Sequence, residues 1–411
     1  MKILILTQYY PPETGAPQNR LHELAVRLKN EGNHIEVLTA MPNYPKMEIF
    51  KEYIGLKNKR EEIDGIPVHR SSIYVSKDSG IIKRLLNYFS FVWSSWKYGS
   101  KNFKKNQFDF LLVESPPLFL GFTAVFLSRK LKAKMIFNVS DLWPESAEKL
   151  DLVKNKLFLN LAYRLEAWCY KNAALITGQT QGIVNDIDKR FPQLKTFWLP
   201  NGVDLSYYNP DEVQSDWRKE NGYSGSDILL FYGGIIGHAQ GLEVILKAAK
   251  EVQNHSELKF ILMGDGPVKK ELLELSKKMD LNNVRFFDPV PKSIMPKVVK
   301  AVDATIVPLR NLPLFEGAIP SKIFENAAMK NPVILGVKGE AKELFADEGQ
   351  CALPFEPENY KELASLLVKI ANGQIQLEEL GRNGRNYVNQ KFNRNKIAAS
   401  FNNELKKLVS I

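Results

Sequence analysis

Directly after an apolar run from Lys2 to Thr7, the chain reads QYYPPETGAPQNR. The run has the composition of a buried strand, so this stretch connects it to the first helix. A lone glycine, Gly15, stands among three prolines, in a connection longer than the usual two to six residues. A stiff loop with one point of close backbone approach suits binding over a cleft. It does not suit a dinucleotide. That would require G-x-G-x-x-G here and an acidic residue closing the second strand, whereas HIEVLT ends without one. The stretch SDLWPES, after the apolar run Lys134 to Val139, is a second candidate. Asp141 there stands at the carboxyl end of a strand, where open α/β sheets bind ligands. Its carboxylate could serve a ligand or cap the segment that follows.

A third stretch is distinguished by charge. From Ser79 to Phe108 there is no acidic residue, and Lys83, Arg84, Lys97, Lys101, Lys104 and Lys105 alternate with eight aromatics. Leu85, Phe89, Val92, Trp93 and Trp96 keep helical spacing from Ile81 to Phe103. That is the pattern of an interfacial helix or a lipid groove, and equally of a helix whose aromatics are core.

These residues need a scaffold. In the first half, Lys2 to Thr7, His34 to Thr39, Phe108 to Val113, Lys134 to Val139 and Ala174 to Thr177 read as buried strands with helices between most of them. Leu21, Leu24, Ala25 and Leu28 share one helical face, and Gly32 ends that helix. Asp64 and Gly65 predict a hairpin within Asn58 to Val75. In the second half the strands are Ile228 to Tyr232, Leu258 to Met263, Val284 to Phe287, Asp303 to Pro308 and Pro332 to Gly336. The alternation predicts an α/β fold of two Rossmann-like domains, residues 1–200 and 201–392, facing a central cleft. The join is LPNGVDLSYYNP, and an amphipathic helix from Asn393 to Ile411 is expected to cross back onto the first domain.

At 411 residues the chain exceeds the size of one core, which agrees with two domains. Hydrophobic residues at 44% and charged residues at 25% exclude global disorder. A net charge of +10 favours anionic partners. Cys169 and Cys351 are expected as buried thiols of a reducing compartment, neither disulfide nor metal ligands. MKILILTQYY runs straight into a strand and lacks the features of a secretory signal. The window nearest to a membrane span, Phe110 to Leu127, is broken by Glu114, Pro116 and Pro117.

Four segments, in order, resemble the retaining GT-B glycosyltransferases of family four. They are YYPPETGAPQNRLHELAVRL, LPNGVD, MGDGP and PSKIFENAAMKNPVI. MPNYP and YGGIIGHAQGLEVIL are similar to the branch of bacterial surface-polysaccharide enzymes that includes L-fucosamine transferases. The resemblance implies a nucleotide-sugar donor, UDP-linked and in the narrower branch an N-acetylated deoxyhexosamine. It implies a lipid-linked saccharide acceptor in O-antigen or capsule assembly, with the enzyme peripheral on an anionic membrane at the cytoplasmic face. The resemblance implies neither nucleic acid nor a metal cofactor.

By the same resemblance the donor lies on PSKIFENAAM. Helix amides with Ser321 and Lys322 would face the diphosphate, and Glu325 the ribose hydroxyls. The family's first glutamate falls on Gly317, with Glu316 one place earlier. Glu316, or the amides of Gly317, Ala318 and Ile319, would then contact the sugar. The Arg and Lys that relatives carry after the first strand of the second domain are replaced by Gly234 or Ile235 and by Gln240. Lys322 is therefore the expected cation, helped by Arg310 or His238. Relatives often carry a histidine where this chain has Ser140 or Asp141, so Asp141 becomes the candidate for aligning sugar hydroxyls and Trp143 for stacking on a sugar face. A sugar-nucleotide epimerase and a noncatalytic membrane scaffold are the alternative readings.

Overall fold

The computed structural model describes residues 1–77, 80–149, 153 and 155–409. Ser79 of the acid-free stretch and the last two residues of the expected terminal helix lie outside the described residues. The chain forms two compact units, Met1–Asn201 with Asn395–Ile411, and Gly202–Arg394.

The first unit is built on eight strands: β1 (Lys2–Leu6), β2 (His34–Ala40), β3 (Asn58–Ile63), β4 (Ile66–Ser71), β5 (Phe110–Ser115), β6 (Lys134–Val139), β7 (Leu175–Gly178) and β8 (Thr196–Trp198). Their order is β3-β4-β2-β1-β5-β6-β7-β8, parallel throughout except for the β3–β4 hairpin. The hairpin turns at Asp64 and Gly65, both at positive φ, as a tight hairpin turn requires. Its second arm joins the parallel sheet beside β2.

Side chains alternate between the two faces of β1. Ile3 and Ile5 pack with Leu21, Leu24, Ala25 and Leu28 of helix Ala16–Asn30. Leu4 and Leu6 pack with Phe91, Leu120, Ala124 and Leu127 on the other face. Ala398, Phe401, Leu405 and Leu408 of the terminal helix, Arg394–Val409, complete the first of these cores.

The aromatic-basic stretch folds as helix Ile81–Asn102, and its aromatics divide. Phe91 is fully buried, while Phe89 and Trp93 remain exposed. The helix therefore turns one aromatic face into the core and leaves aromatics of the other exposed. No helix among the described residues is long and apolar enough to cross a membrane.

The second unit has six parallel strands: β9 (Ile228–Gly233), β10 (Leu258–Met263), β11 (Val284–Phe287), β12 (Ala304–Pro308), β13 (Val333–Gly336) and β14 (Ala352–Pro354). The order β11-β10-β9-β12-β13-β14 is that of a doubly wound nucleotide-binding sheet, in which the chain reverses direction between β9 and β12. Cys169 and Cys351 are buried free thiols, one in each unit, and burial pushes both up to about 12.

Candidate active site

In an open parallel sheet a ligand sits beyond the carboxyl ends of the strands at the switch point. In the second unit that point lies between β9 and β12. The loop leaving β9 packs backbone to backbone on the loop leaving β10. A Cβ on Gly264 would stand 1.8 Å from the Gly234 carbonyl oxygen, and one on Gly266 would stand 2.3 Å from that of Ile236. With φ of 149° and 156°, neither position tolerates a side chain, which explains the glycines of MGDGP.

Helix Ser321–Ala328 follows β12 and carries Ser321 at its exposed first turn, after Pro320. The unpaired amides of a helix's first turn attract anions. Lys322 Nζ stands 4.0 Å from the centroid of the Tyr232 ring on β9 and 3.0 Å from where a Cβ on Gly234 would lie. Among the described residues no carboxylate forms an ion pair with it. Burial lowers its ammonium to about 8.

One turn further on, Glu325 is half-buried, and burial pushes its carboxyl up. Lys292, Arg394 and Lys322 pull it down, as does the Tyr208 hydroxyl, which donates to it. Tyr208 comes from LPNGVDLSYYNP, and neighbouring Tyr207 donates to the Lys292 carbonyl at 2.9 Å. The structure thus gathers Lys322, Glu325 and the join segment around one helix.

Other expectations need correction. Arg310 is not a spare cation. Its guanidinium bonds Glu243 at 2.9 Å, Glu358 at 3.1 Å and the His238 carbonyl at 2.7 Å, and its amide donates to Ala239. It fastens the short turn His238–Gln240. Gln240 curls back so that its Oε1 would lie 2.9 Å from a Cβ on Gly237.

Glu316 is exposed in the turn Pro313–Gly317 and lines a polar depression of about 560 Å³ with Lys338, Lys342 and Glu343. A Cβ on Gly317 would meet nothing within 4 Å, so that backbone is open to a ligand. The Ala318 amide is already spent on the Phe315 carbonyl at 3.0 Å, because the turn needs it, and half-buried Ile319 follows. Among the described residues no three His, Cys, Asp or Glu side chains group as a metal site.

In the first unit the switch point lies between β1 and β5. Gly15 begins helix Ala16–Asn30 in an extended conformation. The preceding loop is tied down by Glu13, which is 1% exposed. Its carboxylate accepts the amides of Tyr10 at 3.1 Å, Asn43 at 2.8 Å and Tyr44 at 2.9 Å, tying the loop to MPNYP. Arg70, fully buried, braces the same place through the carbonyls of Pro11 and Ala40.

Arg20 and Glu114 form a buried pair at 2.5 Å. Arg20 also donates to Ser140 at 2.8 Å, and Asn138 donates to Glu114 at 2.5 Å. This network fixes the end of β6, and Asp141 follows it, exposed, with Oδ1 accepting from Ser146 at 2.7 Å. That bond joins two side chains, so Asp141 braces the next helix without capping its amides. Trp143 packs edge-on against Phe119 at 5.5 Å and Phe158 at 6.3 Å. Its indole belongs to the border of the core and is no free stacking platform.

Sequence inspection missed Arg20, Glu13 and Glu114. Glu114 had left a signal: it is the charge interrupting an otherwise apolar run, at a strand's carboxyl end.

Comparison with known proteins bears on the family and the fold. Residues 15–202 match the "Glycosyl transferase 4-like domain" and residues 213–387 match "Glycosyl transferases group 1". The putative colanic acid biosynthesis glycosyl transferase WcaI of Escherichia coli is 24% identical over 378 residues, 89% of this chain and 91% of that one. HepE of Anabaena, solved in complex with UDP, superposes with a TM-score of 0.73 at 18% identity, over 99% of this chain and 100% of that one. WaaG, a glycosyltransferase involved in lipopolysaccharide biosynthesis, superposes with a TM-score of 0.65 at 16% identity, over 98% and 99% of the two chains. The structural likenesses establish the GT-B fold. Each half of the chain thus matches a glycosyltransferase family, residues 15–202 the 4-like domain and residues 213–387 group 1, and the chain is a two-domain glycosyltransferase.

Proposed function

We propose that this glycosyltransferase moves a sugar from a UDP-linked donor to a lipid-linked saccharide during surface-polysaccharide assembly, with retention at the anomeric carbon. The observation that carries the donor site is Lys322, a cation with which no carboxylate among the described residues forms an ion pair, at the switch point and the start of a helix. Support for UDP comes from HepE, and support for the pathway class from the names of WcaI and WaaG.

In the transfer the bond from the anomeric carbon to the donor phosphate breaks, and its electron pair leaves with the diphosphate. An acceptor hydroxyl forms the new bond on the same face, and its proton passes to the departing phosphate oxygen. Lys322 and the first-turn amides stabilise the growing negative charge. Glu325 holds the ribose, Glu316 and the open Gly317 backbone meet the sugar, and Asp141 aligns the acceptor.

The test is a panel of sugar nucleotides with and without lipid-linked acceptor. Acceptor-dependent nucleotide release is expected. Product from donor alone would favour epimerisation, and no turnover at all would favour a scaffold. EDTA should leave most activity intact, because the diphosphate's charge is met by side chain and helix; complete loss restored only by Mg²⁺ would overturn that account. Glu325→Gln should raise the donor KM more than it lowers kcat, by about ten- to a hundredfold in kcat/KM.

We place the enzyme on the cytoplasmic face of an anionic membrane, held by the exposed side of helix Ile81–Asn102 and the basic residues after it. Changing Lys101, Lys104 and Lys105 to Glu should reduce cosedimentation with anionic vesicles. Binding that ignores both salt and these changes would sink the placement.

A further inference from the structure

The loop leaving β9 begins with Gly234, Ile235 and Ile236, and their three carbonyls turn back onto the protein. That of Gly234 faces Gly264, and that of Ile236 accepts the Val268 amide at 3.3 Å. Between them the Ile235 carbonyl accepts the Tyr232 hydroxyl at 2.5 Å. The Ile235 amide donates to no group among the described residues. A loop that turns its carbonyls inward and keeps an amide unspent can meet an anion.

The same tyrosine carries the cation. Tyr232 is 1% exposed and packed in the core of the second unit, so its ring is fixed, and Lys322 Nζ stands 4.0 Å from its centroid. The negative face of an aromatic ring attracts an ammonium. Few other charges act on Lys322. Glu325 on the same helix favours its charged form, and Glu325 is in turn acted on by Lys292 after β11, by Arg394 at the end of the unit and by the Tyr208 hydroxyl. Arg310, after β12, is engaged by Glu243 and Glu358.

Resting on the donor site proposed above, we infer that Tyr232 is the positioning residue of that site: its ring holds the Lys322 ammonium and its hydroxyl holds the Ile235 loop, so one buried side chain sets both groups that meet the diphosphate. Tyr232 acts through these two groups. Its ring and its hydroxyl can be removed in turn, which separates the two effects.

The first readout is titration of the Lys322 amine in the free full chain, followed by NMR of its side-chain carbons and assigned by their loss in Lys322→Ala. It needs neither donor nor transfer. Tyr232→Phe keeps the ring and should leave that titration within about 0.3 pH unit of the parent. Tyr232→Met fills the space flexibly without a π face and should move it about one pH unit lower. The second readout is UDP binding by calorimetry at about pH 7.5, below the parent's titration. Affinity should fall about threefold in Tyr232→Phe, through the freed Ile235 carbonyl, and about tenfold in Tyr232→Met. In the Lys322→Ala background the two substitutions should weaken UDP equally, as expected of a ring that acts through the lysine. Tyr232→Leu repeats the measurement if Tyr232→Met melts far below the parent. A Lys322 titration that moves equally, or not at all, in Tyr232→Phe and in the ring-free variant would overturn the inference. So would a difference in UDP affinity between them that persists in full without Lys322. Failure of the donor reading would look different: the titration would move as expected while UDP bound neither parent nor variant.

Discussion

Lys322→Ala is expected to lower kcat for sugar transfer about a hundred- to a thousandfold, the usual cost of removing one preorganised group that meets developing charge. The donor KM should change far less, since the charge on the diphosphate grows as it leaves. Lys322→Arg should not restore the rate. The ammonium already lies 3.0 Å from the place of a Gly234 Cβ and over the Tyr232 ring, so a wider planar group has no room. The pH profile supplies an independent check. Burial lowers the Lys322 ammonium to about 8, and only the protonated form serves the diphosphate. kcat/KM should therefore fall as pH rises through about 8. A bound diphosphate favours the ammonium, so the same limb in kcat should lie at higher pH. A parent-like rate in Lys322→Ala would remove the donor site from this helix.

Glu114→Gln should cost the first unit about 3–5 kcal/mol, because it leaves the Arg20 guanidinium charged and unpaired inside the protein. The Glu114 and Arg20 side chains are 6% and 10% exposed, so little water is available to take over. Calorimetry should show melting of this unit lowered by roughly ten degrees. Replacing both partners with apolar residues of similar volume, Arg20→Met with Glu114→Leu, should recover most of the loss. Activity should not recover with it, since Ser140 and the Asp141 loop lose their anchor. Unchanged melting in Glu114→Gln would mean that the pair is solvated and does not hold the β6 end.

The buried parallel strands were legible in the sequence because strands covered on both faces must be continuously apolar, as FLLV in β5 and FILM in β10 are. The hairpin was legible through Asp64 and Gly65. β8 and β14, three residues each, carry no period and were not seen. Within the site, the Lys322 helix was visible as a motif. That no carboxylate among the described residues forms an ion pair with it was not, because that depends on where the acidic side chains fold, Glu243 and Glu358 onto Arg310. Glu13 and Arg70 escaped for the same reason: their partners are mostly backbone groups far along the chain, and no spacing encodes them.

The terminal helix has a consequence for synthesis. Ala398, Phe401, Leu405 and Leu408 cover one face of the first sheet, yet they are translated only after the whole of Gly202–Arg394. At 5–20 residues per second the ribosome takes roughly 10–40 s to make that intervening unit. For that interval the nascent first unit carries Ile3, Ile5 and their neighbours without their last cover. That face of the sheet gains its full apolar cover only when the helix emerges and docks.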